Sequence, residues 1–324
     1  MKRRELLGLL GGAVVAWPLA VCAQEQGRTY RLGSLHFSPR SAPHHVALFA
    51  ELKRQGFIAG QNLWVDERGY GLHSDQLAEH AAELVKAQVD VIYCGGDANV
   101  RAAQQATQTI PIVTESEDMV RSGFVRSLAK PGGNTTGVSI LSPELDGKRQ
   151  DILMEAVPGI HHMAALADSN TDSPEQLQAL QEAARTRGLE LSIYRVATPD
   201  EIAGAIDAAQ KSGAEAFNVL ASSLLYNNRQ ILRARIAALR LPAIYQFPEM
   251  SEEGFLIGYG PRLVQVYGET VARQIVALFR GAKPIDVPVE QPSKFELVIN
   301  LKTAKTLGIT IPTTMLDRAD KVIE

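Results

Sequence analysis

The sequence predicts an α/β fold of two Rossmann-like lobes with parallel sheets, joined by three crossover strands. Three observations carry that expectation. One run of elements (strand, helix, Gly-hydrophobic turn, strand, helix, strand, helix, proline-led strand) occurs over 30–113 and again over 162–245. The segments 89–93 and 217–220 are short and largely apolar, as strands covered on both faces are. Pro111 and Pro242 lead matching strands, where a missing N–H costs least.

In the first half, a strand over 30–37 is followed by a helix over 45–55, the turn Gly56-Phe57 and a strand over 62–66. A helix over 75–86 comes next, with Leu77, Ala81, Leu84 and Val85 at helical spacing and Glu79, His80 and Glu83 facing away. A strand over 89–94, a helix over 99–107 and Ile110-Pro111-Ile112-Val113 complete it. The second half reads as strand 163–167, helix 174–187, Gly188-Leu189 and strand 190–196. Helix 200–211, with Ile202, Ala205, Ile206 and Ala209 in phase, then leads to strand 216–221, helix 229–239 and Leu241-Pro242-Ala243-Ile244.

Crossings between the lobes are expected near 140–143, near 246–250, and at the proline-bounded strap Pro288-Val289-Glu290-Gln291-Pro292-Ser293-Lys294. The lobes would then comprise 28–140 plus 249–290, and 141–247 plus 293–324. Asn300 reads as the cap of a short helix over 301–307. Glu296 and Lys302 read as surface charges.

A chain of 324 residues, 45% hydrophobic, can bury two cores. The net charge of −3 supplies no basic footprint, which argues against a nucleic-acid partner. Lys2, Arg3 and Arg4 precede the apolar stretch 6–20 and Val21-Cys22-Ala23, the pattern of a signal peptide over 1–23. The stretch is short of the roughly 20 apolar residues a membrane span needs. The Arg3-Arg4 pair leaves a twin-arginine export route open. Val21 departs from the small residue that usually precedes a lipid-bearing cysteine, so Cys22 is not expected to carry an anchor. Removal of the leader takes the charge from −3 to −5 and leaves Cys94 as the only thiol, without an intramolecular disulfide partner.

In open parallel sheets, ligands bind beyond the carboxyl ends of the strands. In the first lobe those loops hold His36, Phe37 and Ser38, then Gly95, Gly96 and Asp97, then Thr114 and Glu115. In the second they hold Asp168, Asn170 and Thr171, then Ser222 and Ser223, then Tyr245 and Gln246. Two glycines ahead of a helix N-terminus let backbone approach an anion, while a plain turn with Asp97 as a cap is the alternative. Glu115 can receive a ligand ammonium or simply face solvent. Tyr70, Tyr245, Tyr259, Phe37 and Phe247 can cage an aromatic ligand or pack the lobes.

Longer motifs carry a resemblance. They include Tyr259-Gly260-Pro261, Gly281-Ala282-Lys283-Pro284 and Pro288-Val289-Glu290-Gln291-Pro292. Phe295-Glu296-Leu297-Val298-Ile299-Asn300-Leu301-Lys302-Thr303-Ala304-Lys305 and Ser127-Leu128-Ala129-Lys130-Pro131-Gly132-Gly133-Asn134-Thr135-Thr136-Gly137 join them. With these the chain resembles the ABC-transporter substrate-binding proteins of the tryptophan/tyrosine-binding-like kind, which have a type I periplasmic binding-protein fold. The resemblance implies a periplasmic, monomeric receptor that passes a small carboxylate, such as an aromatic amino acid or aromatic acid, to an ABC transporter permease. A branched aliphatic amino acid is the alternative ligand, and a membrane sensor the alternative partner. It also implies that Gly95–Asp97 holds a carboxylate, that Ser139 and the loop Asp168 to Thr171 contact the polar head, and that Tyr259 lies by the site. Arg262 and Asp97 depart from the family, and Asp97 would repel a carboxylate.

An exported enzyme is the competing function. Cys94 would be its nucleophile and His36 its base, yet Cys94 ends an apolar strand, and no Gly-x-Ser-x-Gly elbow or metal-ligand spacing appears. No catalytic residue, metal or cofactor is expected. A DNA-binding regulator of similar shape would need a helix-turn-helix where the leader stands.

Overall fold

The computed structural model describes residues 27–140 and 142–324, the side chains of 142–144 excepted. The expected signal peptide and Cys22 lie outside these residues. The first lobe holds a five-stranded sheet built from β1 (Tyr30–Leu35), β2 (Leu63–Val65), β3 (Val91–Gly95), β4 (Ile112–Ser116) and β5 (Thr135–Ser139). Its strands are all parallel, in the order β2-β1-β3-β4-β5.

The second sheet contains β6 (His162–Asp168), β7 (Glu190–Val196), β8 (Ala216–Val219), β9 (Ala243–Tyr245), β10 (Ile257–Gly260), β11 (Glu296–Asn300) and β12 (Lys321–Ile323). Its order is β12-β11-β10-β9-β8-β6-β7, so β7-β6-β8-β9-β10 repeats the first lobe strand for strand. The repeat therefore extends to a fifth strand in each half. β11 runs antiparallel to β10, the one departure from parallel pairing among the described strands.

β10 corrects two expectations. It pairs with β9 through Ile257 and Ile244, so the segment from 249 to 260 belongs to the second lobe and not the first. The second crossing accordingly lies at Pro261-Arg262, beyond the expected 246–250. The reason is close backbone contact: a Cβ on Gly258 would fall 2.3 Å from the Phe247 carbonyl oxygen, and one on Gly260 2.1 Å from that of Gln246. The two glycines let this segment lie flat against the end of β9.

From the crossing a helical segment runs over 263–279, with a π-helical turn at Val266–Val271, and packs on the first-lobe helix Pro43–Arg54. The approach is close, since a Cβ on Gly268 would lie 3.4 Å from that of Ala47. Gln274 Nε2 donates to the Gly137 carbonyl at 3.0 Å, which fastens the segment to β5. The third crossing is extended, with the Ser139 N–H donating to Glu290 O and the Glu290 N–H to Gly137 O, both at 2.9 Å. Glu296 is buried, not a surface charge, and its Oε2 lies 2.5 Å from Arg262 Nε, so one ion pair ties the second crossing to the strand after the third. Asn300 Oδ1 accepts from the Thr303 N–H at 3.0 Å, capping the helix Leu301–Leu307.

Candidate ligand-binding cleft

The carboxyl ends of the two sheets face each other. From the first lobe, His36, Phe37, Ser38, His44, Gly95, Glu115 and Glu117 line a cavity; from the second, Ser222, Ser223, Tyr226, Asn227, Gln246 and Phe247 do so. Leu263 and Tyr267 of the returning helical segment close one side. The cavity measures about 30 Å³, room for little more than a water or two. A second compartment of about 180 Å³ lies between Asp97, Arg101, Asp118, Arg121 and Ser122 on one lobe and Thr171, Asp172, Ser173 and Gln176 on the other. Glu117 borders both.

The lobes touch here. Gly96 has φ +86°, and a Cβ on it would stand 2.3 Å from Ser223 Oγ. Arg121 Nη1 donates to Gln176 Oε1 at 3.1 Å, and its Nη2 donates to Ser173 Oγ.

An imidazole–phenol cluster backs the first-lobe wall. The His36 ring stacks on Tyr70 at 5.7 Å and 10°, with Tyr93 4.1 Å away. His45 Nδ1 lies 2.7 Å from the Tyr93 hydroxyl, and Ser38 Oγ lies 2.8 Å from His45 Nε2 and 3.3 Å from His44 Nε2. Burial pushes all three imidazoles down, His44 to about 4 with help from Arg229, so they are neutral near pH 7. The acids move the other way. Burial raises Glu115 to about 7, against the hydrogen bond from Tyr267, and raises Glu117 well above the carboxylate range, with Asp97 adding repulsion to both.

Asp97 is the first residue of the helix Asp97–Ala106, and Gly96 occupies the cap. Its carboxylate accepts from Ser116 Oγ at 2.6 Å and Ser122 Oγ at 2.7 Å, with Arg101 at 3.8 Å. The turn expected to hold a ligand carboxylate therefore gathers buried acids instead.

Of the residues singled out in the sequence, His36, Phe37, Ser38, Gly95, Glu115, Ser222, Ser223 and Gln246 come together at the first cavity. Gly96 meets Ser223 across it, and Asp97 and Thr171 border the second compartment. The others lie elsewhere. Thr114 is fully buried and donates to the Glu115 carbonyl, while Ser139 Oγ accepts from the Met119 N–H inside the first lobe. Tyr245 packs on Phe255 in the second core, at 4.2 Å. Tyr259 contributes only its carbonyl, to Arg149 Nε at 2.8 Å. Asp168 accepts from the Asn170 N–H and the Thr171 hydroxyl of its own loop and from Ser222 of the cavity wall, and Asn170 donates outward to the Ala197 carbonyl. Strand alternation turns the side chains of Thr114, Ser139, Tyr245 and Tyr259 away from the cleft, whereas Asp168 and Asn170 are held by bonds of their own turn. Sequence reasoning missed His44, Tyr226, Asn227 and Tyr267, which sit on helices, and Glu117, two residues beyond Glu115.

The second wall is braced from beneath. Arg149 is fully buried and donates to Asp146 Oδ1 at 2.8 Å and to the Gln246 carbonyl at 3.1 Å, besides that of Tyr259. Asp146 also accepts from the Ala221 N–H and from Gln176, so one ion pair positions the loops after β8, β9 and β10.

Known proteins resemble this one along most of its length. A tyrosine-binding protein of Clostridioides difficile (strain R20291) is 25% identical over 261 residues, 80% of this chain and 74% of that one. An ABC domain in complex with L-Trp from Streptococcus pneumonia superposes with a TM-score of 0.80 and 25% identity, covering 91% of this chain and all of that one. A conserved domain protein from Vibrio cholerae gives 0.82 at 23% identity over the same 91% of this chain and the whole of its own. The relatives named for a function are substrate-binding proteins rather than enzymes, and the bilobal type I fold is common to these structures. The family described as ABC transporter substrate binding protein matches residues 47–323, and the chain belongs to it.

Proposed function

We propose that the protein is the extracytoplasmic receptor of an ABC importer, exported by way of its N-terminal leader, and that it captures an aromatic amino acid between its lobes. One observation carries the reading: the cleft sets Phe37, Tyr226, Phe247 and Tyr267 around buried acids and neutral imidazoles. An apolar, ring-lined body with a few polar groups at one end suits an aromatic solute with a polar head. The relatives bound to L-Trp or named for tyrosine favour the same solute class.

The receptor works as a monomer with two states. A cavity of about 30 Å³ does not admit an amino acid, so the lobes part to take one up and close over it. The solute touches both walls and so favours the closed form, which a permease would recognise. Titration of the purified protein with L-tryptophan, L-tyrosine, L-phenylalanine and L-leucine, read by melting temperature and small-angle scattering, tests this. An aromatic amino acid should raise the melting temperature and keep the particle compact. A response to L-leucine alone would assign the cleft to branched aliphatic solutes, and no response to any of them would overturn the reading.

A further inference from the structure

Two buried polar atoms at the cleft have no hydrogen-bond partner: His36 Nε2, on a residue 3% exposed, and Glu117 Oε2, on a residue 7% exposed. An unpaired buried polar atom forfeits its hydrogen bonds to water without replacement, and native proteins rarely keep one without a use. The two belong to different segments, the turn after β1 and the bend after β4, and both residues line the same cavity. Glu115, in β4 two residues before Glu117, lines it as well.

The charges facing this pair are one-sided. Asp97 comes from the helix Asp97–Ala106, Tyr267 from the returning segment, Tyr93 and Cys94 from β3, and Tyr226 from the second lobe. His36 and His44 share the cavity, and Asp118, Arg101 and Arg121 border the adjoining compartment. The cations are engaged elsewhere: Arg101 stands beside Asp97, Arg121 binds Gln176 and Ser173, and Arg229 pairs with Glu253. Among the described residues no cationic side chain pairs with Glu115 or Glu117. Buried acids in that position hold protons until a cation arrives.

We infer that Glu115 and Glu117 receive a protonated amine of the solute, with His36 Nε2 hydrogen-bonded to the same polar head, and that the amine displaces a proton from this carboxyl pair as it binds. The inference rests on the aromatic-amino-acid reading of the cleft and narrows it, because an aromatic acid without an amine then binds poorly. The balance is simple. The ammonium keeps its three protons, the carboxylic acid releases its one to solvent, and an ion pair remains. Acid pH opposes that release and weakens binding; alkaline pH favours it until the carboxyl pair is already ionised.

Calorimetric titration of the full chain tests it with four probes: L-tryptophan, L-tyrosine, and their deaminated counterparts indole-3-propionate and 3-(4-hydroxyphenyl)propionate. Each is measured at about pH 5.5 and about pH 8, in buffers of different ionisation enthalpy. The amino acids should bind at least about tenfold tighter than the deaminated acids, gain about tenfold between the two pH values, and release a fraction of a proton near neutrality. Glu117→Gln should remove most of the preference for the amine and most of the proton release. If melting shows that variant misfolded, Glu115→Gln gives the same readout. Deaminated acids that bind as tightly as the amino acids, or a preference that survives both variants, would overturn the inference and leave the aromatic reading standing. Heat from none of the four probes would overturn both.

Discussion

The Tyr267 hydroxyl donates to Glu115 Oε2 at 2.9 Å, joining residues 152 positions apart. Tyr267 stands in a π-helical turn, where the wider backbone turn shifts side chains relative to a regular helix. The bond thereby ties the segment returning from the second lobe to the cleft wall. Tyr267→Phe should leave a buried carboxyl without its donor, raise it further, and cost about 1–3 kcal/mol. Urea unfolding of the ligand-free protein measures the loss. An unchanged midpoint would mean that water replaces the hydroxyl.

Gly96 offers a separate test of contact between the lobes. Its φ of +86° disfavours any side chain, and a Cβ would meet Ser223 Oγ at 2.3 Å. Gly96→Ala should cost about 1 kcal/mol in backbone strain and also hold the lobes apart. Solute affinity should fall by more than the strain accounts for, and scattering should show a larger particle. Adding Ser223→Gly should restore part of the affinity but none of the strain, which separates the two effects.

Arg121 acts as a clasp. It is a first-lobe residue that donates to Ser173 and Gln176 of the second, at the far rim of the second compartment. Its bonds exist only while the lobes touch. Arg121→Ala should therefore raise the solute dissociation rate several-fold with little change in the association rate, as measured by stopped-flow fluorescence. Equal changes in both rates would deny it that role.

The alternating repeat was legible because each unit carries its own local signals: apolar strands, helical periodicity and a proline at the last strand start. The fifth strands were not. β10 contains two glycines and a tyrosine, little to mark a strand, and its place follows from Gly258 and Gly260 lying against carbonyls of residues 246 and 247. The same distinction holds at the cleft. Residues at strand ends or in the loops that follow them, such as His36, Gly95 and Ser222, follow from topology alone. Ser139, Tyr245 and Tyr259 face inward because strand register sets their direction, and register is a property of the pairing. Tyr267 reaches Glu115 only through tertiary packing, so no local pattern could announce it.

The ion pair beneath the second wall predicts a large stability effect. Arg149 is fully buried, and without it Asp146 would keep a buried charge with no cation beside it or take up a proton. Even with its partner, burial raises Asp146 to about 6. Arg149→Met should cost about 3–5 kcal/mol, because one charge then stays uncompensated. Adding Asp146→Asn should recover part of that cost. Denaturant unfolding of both variants supplies the comparison; a single variant as stable as the parent would mean that the pair contributes no net stability.

Glu115 also makes ligand-free stability depend on pH in an unusual sense. Its carboxyl is raised from 4.5 to about 7, chiefly by burial, so the folded state holds its proton more firmly than the unfolded chain does. The contribution is complete below about pH 4.5 and disappears as pH rises through about 7. Glu117 acts in the same direction, and so does Asp146, raised to about 6. The buried histidines oppose them: with His36, His44 and His45 all lowered, their contribution grows as pH rises toward 6.5. The total profile mixes both signs, so the informative quantity is the difference between the parent and Glu115→Gln. Melting temperatures measured across about pH 4.5–8 should show the parent losing stability relative to the variant, by a few kcal/mol in all. A solute bearing an amine should reduce that loss, since its charge replaces the missing proton. A difference that stays flat, or grows in the parent's favour, would place the Glu115 carboxylate in contact with water rather than in the buried cleft wall.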